Sequence, residues 1–281
     1  MTDLHLGCTS ARHRTIEVNG IPLHMLESGP PDAPGLCFLH GGAAHAHWFD
    51  RVTPAVADRF HVIALDQRGH GESGWVRPPA YGTEDFAGDL RALVDTLGWD
   101  RFVIAGHSMG GHNAMAFTAW HPERVRALVV IDARPAIPTE RLQMMHRRGE
   151  RAPRRHATVE EAVASFRLLP RETAADPALL AHIARAGVVE RDGRWVARFD
   201  PDTNRVRRPT DGWRLLDRIT APTLVVRAER SPALPPEMLR RMLGLIPHAA
   251  FVEIPGAYHH VTLDAPEAFT AALDAFLKTL S

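Results

Sequence analysis

Six short apolar runs recur along the chain, with helical patterns between them. Continuous apolar runs of this length are typical of strands that are buried on both faces. Strands that alternate with helices form a mostly parallel sheet, because each crossover helix returns the chain to the same end of the sheet. The runs lie at 36–40, 62–65, 102–105, 127–131, 223–226 and 250–254.

A β-hairpin completes the predicted sheet. The pair Asn19-Gly20 separates two extended stretches, 15–18 and 22–27, and Asn-Gly is a strong hairpin signal. Together with the six runs, the hairpin predicts an α/β fold with a mostly parallel, eight-stranded sheet. Apolar residues at helical spacing predict helices that flank this sheet. These helices lie at 84–97, 109–120, 236–245 and 266–280.

Residues 134–218 interrupt the alternation of strands and helices. They contain helical pieces and then a polar, turn-rich stretch at 190–209, but no strand followed by a crossover helix. We therefore predict a mainly helical cap inserted between the sixth and seventh strands, with 1–133 and 219–281 forming the core domain. The helical pieces lie at 139–148, 159–168 and 177–186.

The predicted cap is rich in arginine. It carries 18 arginines against 12 acidic residues, a net charge of about +6. These arginines form a solvated surface, or some of them attract and orient an anionic substrate. The whole chain has a single lysine, Lys278, so a general bias towards arginine weakens the second interpretation.

The overall composition excludes several classes of protein. The 281 residues are 45% hydrophobic and 23% charged, with 33 basic and 33 acidic side chains, which excludes a disordered chain. A net charge of zero gives no general attraction to nucleic acid or anionic membranes, so we expect neither as a partner. No stretch reaches the ~18 apolar residues of a membrane-spanning helix. Residues 1–18 lack the apolar core of a signal peptide, and we expect a cytoplasmic protein.

The sequence implies no metal and no organic cofactor. Its two cysteines, Cys8 and Cys37, cannot build a disulfide framework or a Cys-rich zinc site, and Cys37 is expected to be a buried thiol. No HExxH, P-loop or dinucleotide-binding pattern occurs. A small-molecule substrate is the expected partner, and the oligomeric state stays open.

The segment GHSMG at 106–110 lies between a predicted strand and a predicted helix. This G-x-S-x-G arrangement is a sharp turn that exposes its central serine, and glycine at both ends avoids collisions. We therefore predict Ser108 as a nucleophile. The Met109 N–H, at a helix N-terminus, can stabilise an oxyanion. The turn after run 36–40 reaches the same sheet edge, and its Gly42 is predicted as the second donor, with Ala43 as the alternative.

A serine nucleophile needs a base within hydrogen-bond distance. After the last predicted strand the sequence reads PGAYHH at 255–260, and a histidine on this loop can supply the base. His259 and His260 are adjacent, so their side chains should diverge. In the earlier loop 66–73, Asp66 and Arg68 are expected to have structural roles.

Together, these motifs resemble the α/β-hydrolase fold family over residues 15–280. The matching features are the HGG turn at 40–42, the loop 66–73, the GHSMG turn, the cap and the late GAYH segment. The resemblance implies that His259 is the base. It also implies that Trp48, which matches a tryptophan that the family often carries after the His-Gly turn, lines the substrate pocket.

The sequence departs from this family at the catalytic acid. Most members carry an aspartate after the strand that follows the cap, and here Pro232 stands at that position. A proline side chain cannot accept a hydrogen bond, so the acid has moved or is absent. Some lipases and dehalogenases of this fold place it at the end of the strand after the nucleophile helix, which is Asp132 here. Glu229 is an alternative acid, and a Ser–His dyad without an acid is a third hypothesis.

These residues predict a serine hydrolase that cleaves a small carboxylic ester, lactone or amide through an acyl-enzyme on Ser108. A serine at this turn argues against the dehalogenases and epoxide hydrolases of the family, which use aspartate. Two alternatives are a ligand-binding receptor with weak or single-turnover hydrolysis and a carbon–carbon bond hydrolase for an acidic substrate. Cofactor-free oxygen or lyase chemistry on the same Ser–His pair also stays open.

Overall fold

Ten strands and nine α-helices lie within residues 11–280, the part of the chain that the computed structural model describes. The strands are β1 (Arg12–Val18), β2 (Ile21–Ser28), β3 (Gly35–Leu39), β4 (His61–Leu65), β5 (Phe102–His107), β6 (Val125–Ile131), β7 (Val188–Arg191), β8 (Arg194–Ala197), β9 (Thr223–Ala228) and β10 (Ala249–Ile254). The helices are α1 (Thr83–Thr96), α2 (Met109–Trp120), α3 (Thr139–Gly149), α4 (Val159–Ser165), α5 (Pro177–Ala186), α6 (Asp202–Arg205), α7 (Pro236–Leu245), α8 (Val261–Asp264) and α9 (Pro266–Lys278). Cys8 and the first ten residues of the predicted core domain lie outside the described residues.

Eight of the strands form one sheet in the order β1-β2-β4-β3-β5-β6-β9-β10. β2 runs antiparallel to both β1 and β4, and every other neighbouring pair is parallel. The β1–β2 turn is the predicted Asn19-Gly20 pair, and both residues have positive φ, as a two-residue hairpin turn requires. The predicted mostly parallel, eight-stranded sheet with flanking helices is therefore confirmed.

Side chains of the central strands alternate between two hydrophobic clusters, one on each face of the sheet. In β3, Cys37 joins one cluster and Phe38 the other, as Ile104 and Val103 do in β5. α1, α2 and α7 contribute to the first cluster, whereas α5, α8 and α9 contribute to the second. Every residue of β3, β4 and β5 is buried, which explains why their sequences are continuous apolar runs.

Residues 134–218 contain four α-helices and a small hairpin. Helices α3, α4 and α5 begin where the helical pieces were predicted, although α4 ends at Ser165 rather than at 168. The turn-rich stretch 190–209 also holds most of a short hairpin that was not predicted, because β7 and β8 pair antiparallel around Asp192-Gly193. Both turn residues have positive φ, at 51° and 67°. Each strand is only four residues long and partly exposed, too short for an apolar pattern to mark it.

The division of the chain into a core and a cap stays a prediction. The segment 134–218 is joined by polar contacts to the loop between β4 and α1. Asp200 accepts hydrogen bonds from the Tyr81 hydroxyl at 2.7 Å and from Arg77 at 2.6 Å.

No helix among the described residues is long and apolar enough to cross a membrane.

Two glycine-to-alanine variants test how closely the turn between β5 and α2 is packed. A Cβ at Gly110 would lie 2.2 Å from the Leu39 carbonyl oxygen, whereas a Cβ at Gly88, in the exposed middle of α1, meets nothing within 4 Å. We expect Gly110→Ala to destabilise the fold by about 1–3 kcal/mol. Gly88→Ala should stabilise it by up to about 1 kcal/mol, because alanine favours helix. Urea unfolding measures both, and a Gly110→Ala protein as stable as the wild type would contradict the packing described.

Candidate active site

Ser108 occupies a sharp turn between β5 and α2. Its backbone has φ 52° and ψ −112°, a strained conformation for a residue with a side chain. A Cβ at Gly106 would lie 2.3 Å from the Gly110 carbonyl oxygen, so the turn requires glycine there. The Ser108 N–H donates to the Ile131 carbonyl at 3.0 Å, which ties the turn to the end of β6.

The structure brings His259 and Asp132 to this serine. The Ser108 hydroxyl lies 3.0 Å from His259 Nε2, and His259 Nδ1–H donates to Asp132 Oδ2 at 2.7 Å. His259 is 3% exposed and Asp132 has no exposed surface. With Nδ1 protonated towards the carboxylate, Nε2 is free to accept the serine proton. The three side chains thus form one hydrogen-bonded chain.

His260 turns away from this chain, as expected for an adjacent side chain. Its Nε2 donates to the Pro170 carbonyl at 2.9 Å, and burial lowers its pKa to about 4. His107 Nε2 donates to the His259 carbonyl at 2.8 Å and so anchors the loop that carries His259. Burial also lowers the pKa of His107 well below its usual value, so this ring is neutral.

Asp132 is held by donors from the loop after β9. Its Oδ1 accepts from the Ala228 N–H at 3.2 Å, and its Oδ2 accepts from the Ser231 hydroxyl at 2.5 Å. A carboxylate without solvent contact needs such donors to offset its loss of hydration. The sequence analysis did not predict a role for Ser231. The available signal was its position next to Pro232, in the loop where most family members carry the catalytic acid.

Glu229 is placed elsewhere. Its carboxylate is exposed and accepts a hydrogen bond from the Gly256 N–H at 2.7 Å. That contact joins the loop after β9 to the loop after β10. The geometry therefore favours Asp132 over Glu229 as the partner of His259.

The turn after β3 passes directly beside the nucleophile. A Cβ at Gly41 would lie 3.3 Å from the Ser108 Cβ, and one at Gly42 would lie 3.9 Å from the Met109 sulfur. Met109 is the first residue of α2, so its N–H has no partner within the helix. Gly42 and Met109, predicted as oxyanion donors, are thus neighbours. Ala43 follows in the same turn, with φ 58°.

A buried chain of amides and rings fixes this turn. His40 Nδ1–H donates to the Gly41 carbonyl at 2.7 Å, and its Nε2 accepts from the Gln67 N–H at 3.0 Å. Gln67 also donates to the His40 carbonyl and accepts from Asn113 of α2, each at 2.8 Å. Arg207 in turn donates to Asn113 at 3.1 Å. The turn is therefore linked to α2 and to residues 134–218.

Asp66 and Arg68 have the structural environment that their loop suggested. Asp66 accepts from His24 Nδ1 at 2.8 Å and from the Ala46 N–H at 2.6 Å. Arg68 makes a buried, two-pronged ion pair with Asp89 of α1, at 2.5 and 2.6 Å. These contacts hold the loop against the sheet.

Trp48 lies in the 3₁₀ turn Ala46–Phe49, beside both site loops. Its ring centroid is 6.0 Å from that of His107 and 5.1 Å from that of His260. These histidines adjoin Ser108 and His259 in sequence, so Trp48 packs against the residues that flank the nucleophile and the base. Its side chain is only 5% exposed.

No described grouping of side chains suited to a metal ion includes Ser108, His259 or Asp132. Among residues 11–280, two groups offer histidine and carboxylate ligands close together. They are His13, His24 and Glu72, and His47, Asp50 and His182.

Comparisons with known proteins identify the family of this chain. Residues 34–164 match the model of the alpha/beta hydrolase fold. The chain is 30% identical to 2-(acetamidomethylene)succinate hydrolase of Mesorhizobium japonicum, over 94% of each protein. The chain belongs to the α/β-hydrolase fold family. Its hydrolase-named relatives support an enzyme.

Other hydrolases match nearly the whole chain, in structure or in sequence. The crystal structure of E-2-(acetamidomethylene)succinate hydrolase superposes with a TM-score of 0.84 and 28% identity, over 95% of this chain and 99% of that chain. An α/β hydrolase from Novosphingobium aromaticivorans gives a TM-score of 0.79 at 27% identity, covering 96% of this chain and 98% of that one. Mouse sn-1-specific diacylglycerol lipase ABHD11 is 28% identical over 95% of this chain and 89% of its own.

Paired variants of this α/β hydrolase test which carboxylate serves His259. We expect Asp132→Asn to lower kcat by about 10⁴-fold, because the histidine loses the acceptor that fixes its tautomer. Glu229→Gln should leave kcat within about twofold of the wild type, since surface substitutions of this kind are close to neutral. Steady-state hydrolysis of p-nitrophenyl acetate measures both. A larger loss in Glu229→Gln would move the acid to Glu229, and two unchanged rates would indicate a dyad.

Proposed function

We propose that this α/β hydrolase is a serine hydrolase that cleaves a small carboxylic ester, lactone or amide. The observation that carries the proposal is the hydrogen-bonded chain from Ser108 through His259 to the buried Asp132. A serine activated by a base that is itself oriented by a carboxylate is the arrangement that acyl transfer requires.

In the proposed mechanism, Ser108 Oγ attacks the substrate carbonyl while His259 Nε2 takes its proton. The oxyanion that forms accepts hydrogen bonds from the N–H groups of Met109 and Gly42. The imidazolium then protonates the leaving group, which departs and leaves an acyl-enzyme on Ser108. Water, activated by the same histidine, releases the acid. Asp132 stabilises the imidazolium in both halves of the cycle.

We further propose that residues 134–218 act as a cap over this site. Two contacts from this segment reach loops beside the nucleophile: the Ile183 carbonyl accepts from His45 Nε2 at 3.0 Å, and the Pro170 carbonyl accepts from His260. A third contact joins Thr173 to Asp264 of α8 at 2.5 Å. A segment held there would exclude water from the acyl-enzyme and control access to it.

Replacement of the nucleophile tests the reaction class. Ser108→Ala should reduce kcat on p-nitrophenyl acetate by roughly 10⁶-fold, the scale of a serine-protease nucleophile knockout. Circular dichroism and urea unfolding confirm that the variant is folded. Wild-type turnover in Ser108→Ala would exclude the mechanism. A single burst of acylation by the wild type, without further turnover, would instead favour the receptor hypothesis.

An acidic substrate is a second proposal about the same site. One relative is named for a succinate derivative, and residues 134–218 carry excess positive charge. Arg134 lies two residues beyond Asp132 and donates to the Pro232 carbonyl at 3.2 Å. Burial and the positive charge of Arg141 lower the pKa of Arg134. A substrate carboxylate nearby would relieve that repulsion.

Matched anionic and neutral substrates test this charge preference. Arg134→Gln should raise KM for a succinyl ester by roughly tenfold, the value of a charge-assisted hydrogen bond of about 1.5 kcal/mol. KM for the neutral butyryl ester should not change. Arg214→Gln is the control, because that side chain is 86% exposed and already pairs with Asp211. Equal KM values for both esters in the wild type would remove the proposal for an acidic substrate but not that for a serine hydrolase.

A further inference from the structure

Two imidazoles and a carboxylate converge at a place that the proposed reaction does not use. His47 Nδ1 lies 2.8 Å from Asp50 Oδ2, and His182 Nε2 lies 2.7 Å from the same oxygen. Each of the three residues offers one ligand atom, and these atoms lie within 4.8 Å of one another. Asp50 is 8% exposed, whereas the side chains of His47 and His182 are 23% and 35% exposed. The group is therefore fixed on its inner side and accessible to an ion from solvent.

We propose that His47, Asp50 and His182 form a binding site for one divalent transition-metal ion, with Zn²⁺ as the best match. Imidazole nitrogens suit Zn²⁺ and its neighbours in the first transition row, whereas Mg²⁺ and Ca²⁺ take oxygen ligands. Three protein ligands leave a coordination position for water, as in open zinc sites. The aspartate charge offsets part of the charge of the ion.

Metal binding requires the three side chains to rotate. Tetrahedral ligands about 2.0–2.1 Å from Zn²⁺ lie about 3.3 Å apart. The two nitrogen–oxygen distances are now 2.8 and 2.7 Å, so each must lengthen by roughly half an ångström. Ligand atoms of the three residues lie within 4.8 Å of one another, so the two imidazole nitrogens must also come to about 3.3 Å from each other. Each ring would bind the ion through the nitrogen that now donates to Asp50, and its proton would move to the other ring nitrogen.

The second histidine–carboxylate group is less suited to a metal. His24 already donates from Nδ1 to the buried Asp66 at 2.8 Å, and its Nε2 lies 2.9 Å from His13 Nδ1. His13 and Glu72 are both exposed, so two of the three ligands would have to be ordered on binding. The centre of the His13 ring lies 5.9 Å from that of the His47 ring, so the experiment must distinguish the two groups.

The proposed ion would join two parts of the chain beside the active site. His47 and Asp50 belong to the 3₁₀ turn Ala46–Phe49 and its end, and His182 lies on α5 of the 134–218 segment. The neighbouring bond from His45 to the Ile183 carbonyl crosses the same junction. Because Trp48 adjoins His47, the ion would fix α5 against the turn that carries Trp48. Zn²⁺ should therefore raise the melting temperature as a ligand of the folded state.

Calorimetric titration tests the site directly and does not depend on hydrolysis. Chelator-treated full-length protein is titrated with ZnCl₂, and we expect one Zn²⁺ per chain. Loss of an outer-shell partner alone costs about 10–100-fold in affinity, so His182→Gln and His47→Gln should each weaken binding by at least roughly tenfold. His248→Gln, which removes an exposed histidine distant in sequence, and His13→Gln should bind Zn²⁺ like the wild type. MgCl₂ should give no comparable heat.

Thermal unfolding gives the second readout. Excess ZnCl₂ should raise the Tm of the wild type, His248→Gln and His13→Gln, but not that of His182→Gln. Unfolding without metal shows whether each variant is folded, and His47→Gln gives an independent test should His182→Gln misfold. The proposal fails if the wild type binds no Zn²⁺. It also fails if both ligand variants bind as tightly as the wild type, or if only His13→Gln loses binding.

Discussion

The carboxylate of Asp132 has no contact with solvent, and much of the site is arranged around its need for hydrogen-bond donors. An unpaired buried charge would destabilise the fold by several kcal/mol. Here β9 and the loop after it supply the Ala228 N–H and the Ser231 hydroxyl, and the loop after β10 supplies His259. The same contacts that make this burial tolerable also hold the histidine ring towards Ser108. Stability of the sheet edge and geometry of the site therefore depend on one set of bonds.

A second buried polar chain performs a similar task at the turn after β3, beside Ser108. It runs from Arg207 through Asn113 and Gln67 to His40, at the start of the Gly41-Gly42 turn. Arg207 is 1% exposed, and burial lowers the pKa of its guanidinium to about 10. The guanidinium carbon also lies 4.8 Å from the centre of the Phe86 ring. At least one arginine of residues 134–218 is therefore not part of a solvated surface, because Arg207 joins this segment to the turn beside Ser108.

Histidines recur around the site in different physical states. The rings of His40, His45 and His107 are buried, and burial lowers the pKa of each, so they serve as neutral donors and acceptors that fix loops. His182 differs, because its hydrogen bond to Asp50 raises its pKa. Burial therefore keeps His40, His45 and His107 neutral, and they position the backbone. The carboxylate partner of His182 instead favours a positive charge or, as proposed, a metal ion.

The sequence alone determined the sheet, the helices that cover it and the strained turn at Ser108, because these follow from local patterns: apolar runs, helical spacing and glycines at 106 and 110. It also placed a histidine on the loop after the last strand. Only the tertiary structure decided which carboxylate meets His259, since Asp132 and His259 are 127 residues apart and strand packing brings them together. The short hairpin β7–β8 and the group His47, Asp50 and His182 were likewise invisible. Both depend on how residues 134–218 fold and pack against the rest of the chain, and no local sequence pattern indicates that packing.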